Sequence, residues 1–85
     1  MKVLLPAALT SYTRASRIEA EGGTLTELFA DLDRRYPGLR FRVVDEQRQL
    51  RPNMRLFVNG LIVRDLGHAL RPADHVAVVL ALSGG

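Results

Sequence analysis

The chain contains no cysteine among its 85 residues. That absence excludes disulfide bonds, thiolate zinc sites and a cysteine nucleophile. The sequence also lacks an apolar run of about 18 residues, the length needed to span a membrane. The apolar segment after Met1 stops at Pro6, which is too short for a secretory signal. We therefore expect a cytoplasmic protein that has no membrane partner.

Aromatic residues and lysine are also scarce. The chain has three Phe, two Tyr and no Trp, and Lys2 is its only lysine among twelve Lys and Arg residues. The arginines are interleaved with acidic residues, so the formal charge of +3 is not gathered into a basic run. Nucleic-acid binding is typically marked by a basic stripe with stacking aromatics, so we expect no nucleic-acid partner.

The residues that are present indicate one small folded domain. Hydrophobic residues make up 47% of the chain and charged residues 25%, as in ordinary globular proteins. Asn59-Gly60 predicts a two-residue hairpin turn, because both turn positions need a positive φ. Alternation and turn signals predict five strands, at residues 1–5, 17–21, 54–58, 61–63 and 76–82. The last of these is apolar on both faces.

One main helix is predicted between the second and third strands. Thr24 is followed three residues later by Glu27, which forms a capping box at the helix start. Pro37 and Gly38 end the helix. Its apolar residues recur at helical spacing and are Leu25, Leu28, Phe29, Leu32 and Tyr36.

The order of these elements predicts an α+β fold in which the helix crosses a mixed, mostly antiparallel sheet. Residues 39–53 leave two alternatives open, a helical turn or a short extended piece. Leu66 and Leu70, four residues apart, predict a single turn packed on the core. The predicted core side chains are Val3, Leu5, Ile18, Leu28, Phe29, Leu32, Leu56, Val58, Ile62, Val76 and Val78.

With this element order and an ending Leu80-Ala81-Leu82-Ser83-Gly84-Gly85, the chain resembles the ubiquitin-like β-grasp proteins, and among them the sulfur carriers of the MoaD and ThiS type. The resemblance includes the helix end at 34–38, the segment 56–60 and the residues 74–76 before the last strand. It implies a β-grasp domain over residues 1–80 and a flexible tail over residues 81–85.

The resemblance also implies a function. A ubiquitin-activating-like adenylyltransferase would use ATP with Mg to activate the terminal carboxylate of Gly85, and a sulfur donor protein would convert it to a thiocarboxylate. An acceptor synthase subunit would then receive the sulfur for molybdopterin, thiamine, cysteine or a secondary metabolite. The chain would be a protein co-substrate, or the small subunit of a sulfur-transfer enzyme, that is not itself an enzyme and binds no cofactor. Gly84 and Gly85 suit a narrow active-site channel, because glycine has no Cβ.

Two alternatives to a sulfur carrier stay open at this point. The chain could be a ubiquitin-like protein modifier that is conjugated to other proteins through Gly85. It could also be a binding module whose tail is inert.

A docking surface is predicted beside the tail. Alternation points Arg55 and Phe57 away from the helix, and if the third and last strands pair, Ala77 and Val79 lie beside them. Partners of ubiquitin-like proteins dock on the equivalent surface. The predicted partner-binding residues are therefore Arg55, Phe57, Ala77, Val79, Ala81, Leu82 and Ser83, although a loop covering Phe57 is an alternative. His68 and His75 have no third residue at ligand spacing, so no metal site is expected.

Overall fold

The computed structural model describes residues 1–81, in which five strands form one sheet. In chain order the strands are β1 (Lys2–Leu4), β2 (Arg17–Glu19), β3 (Met54–Val58), β4 (Leu61–Val63) and β5 (His75–Leu80). The helices are α1 (Thr10–Thr13), α2 (Leu25–Arg35) and α3 (Leu39–Val43), and a 3-10 helix at Ala7–Leu9 precedes α1. All five predicted strands are found, and β3 and β4 have the predicted ends.

Strand β5 lies in the middle of the sheet, whose order is β2-β1-β5-β3-β4. It runs parallel to β1, with Val76 opposite Val3, and antiparallel to β3, with Val78 opposite Leu56. The other two pairings are antiparallel. The predicted mixed, mostly antiparallel sheet is confirmed. One face of β5 is buried in the core through Val76 and Val78, while Val79 on its other face is 41% exposed, so both faces are apolar but only one is covered.

The predicted main helix corresponds to α2. The Glu27 N–H donates to Thr24 Oγ1 at 3.2 Å, as a capping box requires. The Glu27 carboxylate accepts from the Gly23 N–H at 2.9 Å, one residue before the cap itself. The helix buries Leu25, Leu28, Phe29 and Leu32 in the core. In the described part of the chain, no helix has the length and apolar character to cross a membrane.

Asp31 ties α2 to the segment that follows β2. Its carboxylate accepts from the Glu21 N–H at 2.9 Å and pairs with Arg34 and Arg35, the last two residues of the helix. The Glu21 N–H, then the two arginines, hold the pKa of Asp31 below its ordinary value. These contacts hold the chain between β2 and α2 against the helix that it enters.

The segment between β1 and β2 contains helical structure that the sequence did not predict. The 3-10 helix begins after Pro6, whose carbonyl accepts from the Leu9 N–H at 2.9 Å. The Leu9 side chain has no exposed area and belongs to the core. The sequence gives no sign of this burial, because a single helical turn is too short to show a periodic apolar face.

Residues 39–53, for which two alternatives were open, contain both a helix and an extended contact. The short helix α3 buries Leu39 and Val43 completely. The chain then extends, and Val44 forms an isolated antiparallel bridge with Leu50. The Asp45 carboxylate accepts from two N–H groups in the turn between the bridged residues, each at 2.9 Å. The segment thus closes one end of the core.

One predicted core residue is wrong. Ile62 is 52% exposed, because the two-residue turn at Asn59-Gly60 places it directly opposite Phe57 on β3. Opposed residues in a sheet share a face, and Phe57 points away from the core. The turn predicted from Leu66 and Leu70 is confirmed in part. It runs from Asp65 to His68, whose N–H donates to the Asp65 carbonyl at 3.0 Å, and Leu70, which lies after the turn, is buried while Leu66 packs against the core.

The burial of Leu9 leads to a stability prediction. Leu9→Ala should lower the free energy of unfolding by about 2–5 kcal/mol, because it leaves a cavity in a packed core. Leu61→Ala deletes the same atoms from a side chain that is 73% exposed and should change the free energy by no more than about 0.5 kcal/mol. Urea unfolding of both variants provides the measurement, and similar losses for both would contradict the burial of Leu9.

Candidate functional site

The face of the sheet opposite the core carries a row of side chains that crosses all five strands. Cα pairing aligns Arg17 on β2, Leu4 on β1, Ala77 on β5, Phe57 on β3 and Ile62 on β4. We call this surface the open face and define it by Leu4, Arg55, Phe57, Ile62, Ala77 and Val79. Leu4, Ile62 and Val79 are 45%, 52% and 41% exposed, so an apolar surface reaches solvent.

The structure brings together the four strand residues that were predicted to bind a partner. Arg55 lies opposite Val79 and Phe57 lies opposite Ala77 across β3 and β5. Phe57 is half-buried and lines an open concavity of about 630 Å³. Phe57 is therefore not sealed beneath a loop, which was the alternative left open for it.

Two residues of the open face were missed as site residues. Leu4 joins it because β1 pairs in parallel with β5, which places Leu4 opposite Ala77. No local signal in the sequence specifies that long-range pairing. The place of Ile62 was predictable: a two-residue turn at 59–60 fixes Phe57 opposite Ile62, so both must point the same way once Phe57 points outward.

Arg55 does not lie over the apolar part of the open face. Its Nη1 donates to the Pro52 carbonyl at 2.7 Å and to the Met54 carbonyl at 2.9 Å. These bonds hold the guanidinium at the start of β3 and the residues just before it. Phe57 and Val79 are therefore left free for contact, with a fixed positive charge beside them.

At one end of the open face, polar contacts clamp the β3–β4 hairpin to the start of β5. Asn59 donates from Nδ2 to the Asp74 carboxylate at 3.0 Å and accepts from the His75 N–H at 2.9 Å. The other Asp74 oxygen accepts from the Arg71 N–H at 2.8 Å. The Arg71 N–H, then Asn59, hold the pKa of Asp74 below its ordinary value.

At the opposite end, the chain leaves the sheet at a defined point. Leu80 pairs with Met54 at the end of β5, and the Ala81 N–H donates to the Asn53 carbonyl at 2.7 Å. Ala81, one of the predicted partner-binding residues, is half-buried there. The predicted site residues Leu82, Ser83, Gly84 and Gly85 lie outside the described residues.

The chemistry that the described residues offer is binding. Among residues 1–81, no group of three His, Asp or Glu side chains is placed to hold a metal ion. His75 lines the concavity on the open face, together with Lys2 and Glu19. An apolar surface with charged residues at its edges is typical of protein contact sites.

Comparison with known proteins gives one family and a set of similar structures. The sequence model of the ThiS family matches residues 3–85. A chain in the crystal structure of the BexX/CysO complex from Amycolatopsis orientalis is 28% identical, with a TM-score of 0.90 over 99% of this chain and 98% of that chain. A search of the curated proteins finds no match in sequence.

Two further structures are similar over nearly their whole length. CysO from Mycobacterium tuberculosis is 28% identical, with a TM-score of 0.89 over 95% of this chain and 98% of that chain. SAMP1 from Haloferax volcanii is 26% identical, with a TM-score of 0.79 over 100% of this chain and 98% of that chain. These similarities confirm the predicted β-grasp fold.

The contacts of Asp74 lead to a prediction on pH. A carboxylate whose pKa is lowered in the folded state stabilises the fold above the pKa of the unfolded chain, and this stabilisation is lost as the pH falls through the folded pKa. Asp74→Asn should therefore be less stable than the parent at pH 7, and the difference should shrink below about pH 4. Thermal unfolding across this pH range measures it. A difference that stays constant with pH would show that the carboxylate charge at Asp74 is not involved.

Proposed function

The chain belongs to the ThiS family of ubiquitin-like sulfur carriers, and from this we propose that the carboxylate of Gly85 is activated by a partner enzyme and carries sulfur as a thiocarboxylate. A carboxylate oxygen attacks the α-phosphorus of ATP, and pyrophosphate leaves. Sulfide from a sulfur donor protein then attacks the carbonyl carbon, and AMP leaves with the oxygen. The two steps turn a poor electrophile into a reactive one and end in a nucleophilic sulfur.

The observation that carries the proposal is where the chain leaves the sheet. The bond from Ala81 to the Asn53 carbonyl defines the base of the tail, at the end of a strand held on both sides. Four further residues in an extended conformation would reach about 14 Å from this point. That is a length suited to carrying Gly84 and Gly85 into a partner's active site while the domain stays outside.

The open face supports the second part of the proposal, that the adenylating enzyme binds the domain as well as the tail. The face is apolar and exposed, and it lies on the strands that precede the tail. The residues that contribute most to binding energy are typically large side chains at the centre of such a surface. On the open face, this residue is Phe57. ATP and Mg would be held by the adenylating enzyme.

The partners and the location follow from the same chemistry. The Amycolatopsis structure contains CysO in a complex with BexX, and by analogy we propose that an acceptor protein docks on this chain to receive the sulfur. The reaction consumes ATP, so we propose that it takes place in the cytoplasm. The acceptor's product, whether molybdopterin, thiamine, cysteine or a secondary metabolite, would depend on that protein.

The proposal predicts a change in mass. Incubation with the adenylating enzyme of the same organism, ATP and sulfide should raise the intact mass by about 16 Da, since sulfur replaces one oxygen. Deletion of Gly85, or one serine added after it, should abolish the shift, because the reactive carboxylate is then in the wrong place. An unchanged mass for the parent chain would refute the proposal.

The same preparation separates the carrier from the protein modifier. Both begin with the same adenylate, but a modifier would form conjugates of higher mass that disappear when Gly85 is deleted. An inert tail predicts that neither product forms.

Substitution in the open face should weaken binding without slowing the chemical step. Phe57→Asp should raise the KM of the adenylating enzyme for this protein by about tenfold or more, because it places a charge in an apolar contact. The kcat should be nearly unchanged, since the tail is intact. Leu61→Asp adds the same charge to an exposed residue of β4 outside the open face and serves as the control. Equal effects of the two variants would mean that the open face is not the docking surface.

A further inference from the structure

Four arginines from three parts of the fold line two neighbouring depressions near the point where the tail leaves the sheet. They are Arg42, Arg51, Arg55 and Arg64, and we call them the arginine cluster. The whole chain has a formal charge of +3, from twelve Lys and Arg against nine Asp and Glu. The other eight basic residues nearly cancel the nine acidic ones, so the cluster accounts for the excess positive charge of the protein.

Arg51 lies at the centre of the arginine cluster. It lines one depression of about 460 Å³ together with Arg42 and Leu80. It also lines a second depression of about 280 Å³, shared with Arg55 and Arg64. The first depression includes Asn53, the residue that accepts the Ala81 N–H. The first depression therefore lies beside the base of the tail, and the second is joined to it through Arg51.

Two of the four guanidinium groups are held in place by backbone carbonyls. Arg51 Nε donates to the Phe41 carbonyl at 2.7 Å, and its guanidinium lies 4.5 Å from the centre of the Phe41 ring. Arg55 is held by the Pro52 and Met54 carbonyls. A guanidinium has five N–H donors, so both groups keep donors for a ligand and lose little entropy when they bind one.

The arginine cluster is not neutralised within the described part of the chain. Neither depression is lined by an Asp or Glu among residues 1–81. Within residues 1–81, the basic groups that form ion pairs are the Met1 amino group, Arg34 and Arg35. None of them belongs to the cluster. Arg42 and Arg64 are exposed, so the positive charge is directed toward solvent.

We propose that the arginine cluster binds carboxylate side chains on the adenylating enzyme beside the entrance to its active site, and thereby steers the tail toward that entrance. This proposal rests on the proposed function and adds the chemistry of the partner surface. Arg55 is next to Phe57 and Val79 on the open face, so the arginine cluster lies at the edge of that face. The carboxylates of the adenylating enzyme would therefore lie at the rim of the contact.

A protein is favoured over a nucleic acid as the ligand because one exposed aromatic side chain, Phe41, accompanies the charge, and an arginine already stacks on it. Proteins that bind single strands stack bases on free aromatic side chains. Phe41, which lies beside the cluster, is 54% exposed, but the Arg51 guanidinium already stacks on one face of its ring. Next to Arg55, the open face presents Phe57 and Val79, an apolar surface that suits a protein interface.

The effect should appear mainly in the rate of association. Charges at the rim of an interface raise the association rate by long-range attraction, which salt screens. Arg42→Glu combined with Arg64→Glu should lower the association rate constant by about tenfold or more at about 50 mM salt and by much less at about 500 mM salt. Stopped-flow mixing with the adenylating enzyme measures the rate, and thiocarboxylate formation measures KM and kcat. The KM should rise while the kcat stays the same.

A matched control changes the charge equally on another surface. Arg40→Glu with Arg48→Glu alters two exposed arginines that line a different depression, beside Asp45 and Glu46. Arg40 and Arg42 are on the same short helix, so the comparison isolates position from net charge. The control should retain most of the parent's association rate, and Arg42→Lys with Arg64→Lys should retain most of it as well. Unfolding temperatures of all variants confirm that they fold.

Four results would overturn the proposal. Equal slowing of the cluster variant and the control would mean that net charge alone acts. An unchanged association rate in the cluster variant, with the parent chain gaining sulfur normally, would refute the cluster and leave the proposed function standing. Binding of single-stranded RNA as tightly as the adenylating enzyme would assign the arginines to a nucleic acid. If the parent chain gains no sulfur, the proposed function fails, and the role of the cluster fails with it.

Discussion

The parallel pairing of β1 with β5 is the interaction on which the rest of the structure depends. It places the last strand in the centre of the sheet, with Val76 between Val3 and Val58. A central strand is held by backbone hydrogen bonds along both sides. The tail therefore begins from the best-supported strand of the sheet, and the Asn53 carbonyl holds its first residue, Ala81, in place. In the proposed function, this rigid base aims a carboxylate that the chain itself does not activate.

Side chains alternate along the central strands, so one face of the sheet packs in the core and the other face is exposed. Val76 and Val78 point into the core with Leu56, while Ala77 and Val79 point to the open face with Phe57. Burial of the first set stabilises the fold through the hydrophobic effect. The second set leaves apolar area in solvent, which costs stability and is retained where a partner covers it. In the proposed function, the apolar character of β5 on both faces thus serves folding on one side and partner contact on the other.

The elements that could be predicted from sequence are those specified by neighbours along the chain. The Thr24 cap, the apolar spacing of α2 and the Asn59-Gly60 turn each involve residues within a few positions of one another, so their signals are local. The turn even determined that Ile62 faces outward with Phe57. The expectation that Ile62 is buried was wrong because its apolarity was given more weight than its register.

The sequence by itself determined the local elements, the alternation that places Arg55 and Phe57 outward, and the ending that resembles a family of sulfur carriers. Only the tertiary structure decided which distant segments meet. It buried Leu9 in a turn too short to show a pattern and brought Leu4 beside Ala77. It also gathered four arginines that the sequence shows as scattered and interleaved with acids. The physical reason is that long-range strand pairing and core packing arise from contacts across the whole fold, and local backbone preferences do not encode them.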